Sequence, residues 1–573
     1  MRRVLIALPL AGFGFSALAA DLAVRPYAPP VPFFTWSGFY EGLFAGYGSI
    51  DNATQPVCFT PSGVPNGTGC AVRAGLRPQT DDFVAGTELG YNYQVTPGSG
   101  IVVGAVADYA FTRIRGYQSQ TGNFPAVGGG FYPGSIYHVG QRLDGLGSVR
   151  GKVGYAFDRL LVYGTAGVAA GNVRIDSNTT LAGFPFDARR GEVRVGYVAG
   201  GGIEYAFSQR LSTKVEALYY DLGARTVVGG DIFGATGFKF GSRVETSGYQ
   251  VRVGINDRFG DGLPLLGLFN EFRNPTAETA LPPSIWVFET GARVFYSSGS
   301  HRYTLGSPFV PGQTNSRLTY RNFDALAGES FGRLDHNPTG LFLKGFLGSG
   351  YVMRSGRLND EDFPPALNPY SNTVSPIRDG DIAYTVIDAG YDFLRGENYK
   401  VGAFIGFQYY AELANAFGCR QVGGGGVCAG TGAVPTSVKV LTEDAHWYGL
   451  RVGLGGEMRF DRFKVSLEGA YLPTLELTGN DRHWLRPDIN PLPQRGTGDG
   501  YFFEGVVSYD VTPRISVGVG ARYWKMNASS GRTQFPFPAT PPSPTKFETE
   551  RYGAFAQFSY KISDIGLTSL ITK

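Results

Sequence analysis

Between Leu211 and Tyr219 the chain alternates without a break. Leu211, Thr213, Val215, Ala217 and Tyr219 share one face, and Ser212, Lys214, Glu216 and Leu218 the other. A period of two marks a strand whose two faces meet different surroundings. The pattern recurs. From Gly145 to Tyr155, Val149, Val153 and Tyr155 oppose Ser148, Arg150 and Lys152, and Val195, Tyr197, Ala199, Ile203 and Tyr205 oppose Arg194 and Glu204. Further on, Tyr448, Leu450, Val452 and Leu454 alternate with Arg451, Gly453 and Gly455, and Glu457 continues that second face. Ile515, Val517, Val519, Ala521 and Tyr523 alternate with Arg514, Ser516, Gly518, Gly520 and Arg522.

Such a chain crosses a membrane, if at all, as a closed barrel. After the N-terminus no stretch approaches the ~18 apolar residues a membrane helix needs. A cation facing mid-bilayer costs roughly 2–4 kcal/mol, so the charged faces are expected to point inward. Arg150, Lys152, Lys214, Glu204 and Glu216 would then form an ion-pair network filling a small barrel. Glu41 breaks the pattern, lying on the apolar face of the first strand, and is expected near a rim. Composition agrees with strands. With 84 Gly in 573 residues, 14% aromatic and only 17% charged side chains, disorder is excluded, and the Gly lacks a collagen period. A net charge of +3 without a basic stripe argues against a nucleic-acid partner.

The N-terminus reads as a secretory signal peptide. Arg2 and Arg3 precede an apolar run from Val4 to Phe15, and Ala17-Leu18-Ala19 offers a small-residue cleavage site. Cys58 with Cys70, and Cys419 with Cys428, form two local pairs in Gly-rich segments. They are read as disulfides closing short loops in an oxidising compartment. A metal site is the other reading, but neither pair has CxxC spacing or a neighbouring His.

Strand counting gives two series. Eight candidates begin near Gly38, Phe83, Ile101, Leu146, Leu160, Val193, Leu211 and Gly248. Ten more begin near Ile285, Leu318, Gly340, Ile382, Tyr399, Trp447, Phe463, Tyr501, Ile515 and Tyr552. The expected fold is all-β: two tandem transmembrane antiparallel β-barrels, 8-stranded and then 10-stranded. A signal peptide (1–20) and Pro-rich lead-in (21–35) precede the first barrel (36–260). A linker (261–284), the second barrel (285–562) and a tail (563–573) follow. In the second series tight turns such as Asp461-Arg462 and Thr512-Pro513 alternate with long loops, among them Ser298 to Ser316, Ser355 to Asp379, Glu412 to Ala445 and Thr478 to Gly500. Short periplasmic turns and long external loops are the outer-membrane pattern.

Ala20-Asp21-Leu22, Trp36-Ser37-Gly38-Phe39-Tyr40, Ala45-Gly46-Tyr47-Gly48 and the terminal Val251-Arg252-Val253-Gly254 resemble the small barrels of the OmpA-like porin family. That resemblance, over about residues 1–259, implies an envelope-stabilising or immunogenic barrel of a Gram-negative outer membrane, without chemistry. Asn359-Asp360-Glu361-Asp362-Phe363 and Gly479-Asn480-Asp481-Arg482-His483 follow the third and seventh strands of the second series. With Tyr399-Lys400-Val401-Gly402, Phe460-Asp461-Arg462-Phe463 and Tyr509-Asp510-Val511-Thr512-Pro513 they resemble the omptins, ten-stranded outer-membrane endopeptidases. The resemblance spans about residues 285–562. It implies a catalytic set of Asp360, Asp362, Asp481 and His483 in external loops, a requirement for lipopolysaccharide, and no metal or other cofactor. The family's acidic specificity positions correspond to Gly479 and Ser300 here, and Arg482 stands where those proteases carry an acid, so cleavage after Lys or Arg does not carry over.

The chemistry also follows from residue types. An Asp two residues from a His can fix its tautomer and raise its basicity. The imidazole can then deprotonate water for attack on a peptide carbonyl, and two close carboxylates can share a proton. His483 is the expected general base, Asp481 its orienting partner, and Asp360, coupled to Asp362, the group that positions water. Expected partners are outer-membrane lipids and lipopolysaccharide, the barrel-assembly machinery, and a peptide or protein substrate. The other reading is a non-enzymatic barrel pair serving envelope structure or surface interaction. His138, His301, His336 and His446 are expected at surface or rim positions, and the five Trp in an aromatic girdle.

Overall fold

The computed structural model describes residues 34–259 and 284–563, less 52–53, 60–75, 77–79, 126–130, 182–183, 233–236, 354–355, 364–370, 425–427, 429–432, 487–488 and 538–539. The expected signal peptide lies outside the described residues, as do Cys70 and most of the lead-in, linker and tail. Among the described residues every regular element is a strand.

The N-terminal strands are β1 (Gly38–Asp51), β2 (Thr54–Phe59), β3 (Thr80–Gln94), β4 (Ser99–Pro125) and β5 (Phe131–Phe157). They continue as β6 (Leu160–Leu181), β7 (Phe184–Ala206), β8 (Leu211–Asp231) and β9 (Lys239–Phe259). Neighbours pair antiparallel from β3 to β9, and β1 pairs with both β3 and β9, closing a ring of eight. The short β2 only extends the outer end of β9.

The second ring comprises β10 (Trp286–Gly306), β11 (Thr314–His336), β12 (Leu341–Val352), β13 (Arg357–Asp362), β14 (Ser371–Arg395) and β15 (Tyr399–Gly424). It is completed by β16 (Val434–Phe460), β17 (Phe463–His483), β18 (Leu492–Asp510), β19 (Ile515–Thr533) and β20 (Ser543–Ser563). Strand β10 pairs with β11 and β20, and β12 and β13 are two pieces of one position between β11 and β14, so ten positions close the ring. Both counts match the expected ones.

Charge is sorted as the bilayer demands. Val149, Val153, Val193 and Val195 are exposed on the outside, whereas Arg150, Lys152, Glu204, Lys214 and Glu216 are buried inside. Arg150 lies 3.0 Å from Glu216 and 2.5 Å from Asp108; Arg252 bridges the same two carboxylates at 2.6 and 2.8 Å. Lys152 pairs with Glu204 at 3.1 Å, and Lys214 with Glu88. The network expected in the lumen is present, enlarged by Glu88, Asp108 and Arg252. Glu41 stands in register with Asp257, which Arg210 holds from the adjoining turn at 2.8 Å. A cation at the rim thus accompanies the misplaced carboxylate.

Three expectations are corrected. The long loops of the second series are shorter than expected, because the strands run on past the membrane: β15 and β16 take 26 and 27 residues. At ~3.3 Å per residue such strands are about 90 Å long, far beyond a ~25 Å apolar band even when tilted. Trp36, Trp447, Trp484 and Trp524 are buried instead of forming a girdle. Trp524 packs with Phe295, Tyr384, Tyr410 and Phe502 in an aromatic layer inside the second ring, where burying a large ring outweighs an interfacial position. His138 and His301 are likewise buried, held by polar partners: Ser119 for His138, and Thr549 with two glutamates for His301.

Candidate active site

Sheet geometry brings two separate carboxylate motifs into one lumen. Residues two apart in a strand share a face, so Asp360 and Asp362 on β13 enter together, as do Asp481 and His483 at the end of β17. Neither motif sits in a free loop as the sequence suggested. Asp360 pairs in register with Leu318 of β11 and Thr373 of β14, and Asp481 with Glu443 of β16. Backbone pairing on both sides fixes these positions better than a loop would.

His483 Nε2 donates to Asp481 Oδ2 at 2.8 Å, and the Tyr303 hydroxyl of β10 donates to the same oxygen at 2.5 Å. Asp481 is almost fully buried, so its charge is held by these two donors. Burial pulls the His483 pKa down, but the Asp481 charge, its hydrogen bond and the Asp360 charge outweigh it and leave it raised. Burial and the neighbouring Asp362 charge push Asp360 up to about 7, against which His483 pulls it down. Asp362 is raised too, chiefly by burial, with the hydrogen bond from Ser316 and the charges of His483 and Arg486 opposing. A neutral imidazole donating through Nε2 leaves Nδ1 as a base.

Sequence reasoning missed Tyr303, Glu443 and Glu412, and placed the buried His301 at the surface or rim. His301 Nε2 lies 3.4 Å from Glu443 and its Nδ1 3.6 Å from Glu412. Burial and the adjacent Asp481 charge hold Glu443 well above the usual carboxylate range. These residues carry no spacing signal: β15, β16 and β17 pair as consecutive neighbours, but only ring closure brings β10 to face them. Two expected substitutions also gain an account. A side chain on Gly479 would meet the Asp444 carbonyl oxygen at 2.7 Å, so no acid fits there. Arg482 is no intruder in the cleft: alternation turns it away from Asp481 and His483, and it lies 4.3 Å over the Tyr117 ring of the first barrel. Cys419 and Cys428 form a disulfide in the external part of this ring, while the Cys58–Cys70 pairing lies outside the described residues.

Comparison with known proteins agrees with this division. Residues 340–545 match the Omptin family. The chain is 32% identical over 266 residues to the 31 kDa outer-membrane immunogenic protein of Brucella melitensis, covering 45% of this chain and 100% of that protein. It is 27% identical to the 25 kDa outer-membrane immunogenic protein of Brucella abortus, over 45% of this chain and 97% of that protein. Among solved structures it is similar to the outer membrane protease OmpT of Escherichia coli, with 17% identity and a TM-score of 0.42, over 50% of this chain and all of that one. The molecule is an outer-membrane β-barrel protein of a Gram-negative bacterium. Through its N-terminal half it belongs to the family of the Brucella outer-membrane immunogenic proteins, and its C-terminal part carries an Omptin family domain.

Proposed function

We propose that the second barrel is a surface endopeptidase that hydrolyses peptide bonds with a water activated by His483. The observation that carries this reading is the hydrogen bond from His483 to a buried Asp481 that the Tyr303 hydroxyl also holds. In this reading Asp481, held by Tyr303, keeps the imidazole oriented and stabilises the imidazolium formed when Nδ1 takes a proton from water. Asp360 accepts or donates a hydrogen bond to that water and, protonated, supports the oxygen on which charge develops. The proton held by His483 then passes to the departing amine. The first barrel has a lumen packed with ion pairs and, among the described residues, no comparable site, and serves envelope structure. Outer-membrane lipid and lipopolysaccharide surround both rings, and the barrel-assembly machinery inserts them.

The pH profile tests the acid–base assignment. A general base works deprotonated, so kcat/KM rises with pH through the His483 pKa, and the Asp481 partner places this limb above an ordinary histidine's 6.5. Asp481→Asn removes the charge and moves the limb to lower pH while reducing the rate. A limb unmoved by that substitution would contradict the assignment. Tyr303→Phe removes one hydrogen bond to a charged group, about 1.5–3 kcal/mol, and is expected to lower kcat by roughly 10-fold or more with little change in KM.

A further inference from the structure

The outer parts of the two rings are buried on both faces where they meet. Residues 135–143 of β5, 380–384 of β14, 410–417 of β15 and 441–445 of β16 have no exposed face. A strand above the membrane buries both faces only if something covers its outside, and here each ring covers the other. The seam is tight here as well: a Cβ added to Gly328 would stand only 3.1 Å from the Phe111 ring.

Above the membrane the seam is ionic. Arg115 of β4 reaches Asp381 at 3.2 Å and pairs with Asp444; Arg142 of β5 reaches Asp379 at 3.0 Å and Asp381 at 3.2 Å. Lys439 of the second ring pairs with Asp176 of the first at 2.7 Å. These are mutually compensating charges, most of them buried, which are worth keeping together and costly to separate.

The seam ends at the catalytic strand. Arg482 and Trp484 bracket His483 in sequence, and both are gripped from the first barrel. The Tyr117 ring takes the Arg482 guanidinium on its face at 4.3 Å and packs on Trp484 with centroids 5.6 Å apart; His138 meets the same indole edge-on at 6.0 Å. From its own ring Trp484 is fixed by a hydrogen bond to Thr442 at 2.8 Å. In a strand, fixing the outward residue fixes the inward neighbours. We infer that the first barrel is a positioning domain for the second: through Tyr117 and His138 it holds the end of β17, and with it the Asp481–His483 pair, in register with Asp360 and Asp362. This rests on the endopeptidase reading for its catalytic consequence, though not for the contact itself.

The test uses the full chain refolded in lipopolysaccharide-containing bilayers, with two independent readouts. Hydrogen exchange over residues 479–486 reports the strand end without reference to activity. Tyr117→Ala is expected to raise exchange there at least 10-fold and leave the periplasmic turns of β14–β20 unchanged. Tyr117→Phe, which keeps the ring face, restores protection, and Arg482→Ala, removing the contact from the other side, repeats the loss. In cleavage assays Tyr117→Ala lowers kcat about 10- to 100-fold with KM little moved, since small misplacement of a reacting group costs that much. Unchanged exchange in both alanine variants overturns the inference whatever the activity. Raised exchange with unchanged kcat overturns the positioning role. If the unaltered protein cleaves nothing, the endopeptidase reading falls, and the exchange result alone decides whether the first barrel holds this strand.

Discussion

Replacing His483 by Ala is expected to lower kcat/KM for peptide cleavage by about 10²–10⁴-fold, the range a positioned general base supplies. The loss should lie in kcat, because no part of the substrate-binding surface is removed. Asp481→Asn should fall in the same direction, since the amide can still accept from Nε2 and Tyr303 but no longer stabilises an imidazolium. The two changes should be far from additive: a pair that acts as one unit is disabled by losing either member. Asp360→Asn tests the opposite wall. It removes the Asp360 carboxylate charge and, with it, part of the upward pull on His483, so the acid limb of the pH profile should move down. Circular dichroism and heat-modified electrophoretic mobility establish that each variant is folded before rates are compared.

The second large effect concerns stability. Four cations, Arg150, Lys152, Lys214 and Arg252, face four anions, Glu88, Asp108, Glu204 and Glu216, inside the first ring. Glu216 is the hub, touching Arg150, Arg252 and Lys214 and accepting from Tyr163 at 3.0 Å. Glu216→Ala leaves four buried cations for three carboxylates and should cost about 3–5 kcal/mol, the usual penalty for breaking one side of a buried pair. Glu216→Gln keeps the shape and part of the hydrogen bonding and should cost less. Val215→Ala, one residue away on the lipid face, should change little. Urea unfolding in bilayers, followed by tryptophan fluorescence, reads all three; equal losses at Glu216 and Val215 would show that strand damage rather than charge is responsible.

The ring sizes were legible because the rule behind them is local. Every membrane-crossing strand must alternate, and Leu211 to Tyr219 or Ile515 to Tyr523 carry that alternation whatever their neighbours are. The placement of Arg150 and Lys214 inside follows from the same cost. What lay beyond the bilayer was not legible, because water imposes no alternation there. Glu412 to Phe417 read as loop, yet they are strand, buried on one side by the barrel's own core and on the other by the first barrel. The Trp residues misled for a similar reason: an indole is at home both at an interface and in a packed lumen, and only the closed ring decides. At the site, Asp360, Asp362, Asp481 and His483 could be singled out by spacing and family resemblance. Tyr303, Glu443 and the partners of Arg482 could not, since they lie on strands far away in sequence. Arg482 shows the difference most plainly. Read alone it was a cation where the omptins carry an acid; in the folded chain it faces outward onto Tyr117.

The most direct test of the central claim is product analysis by mass spectrometry after the refolded full chain, in lipopolysaccharide-containing bilayers, is given a mixed peptide library. Hydrolysis at His483 predicts new peptide termini that accumulate with time and vanish in His483→Ala. No cleavage by the unaltered protein, or cleavage that persists at the same rate in His483→Ala, would contradict it.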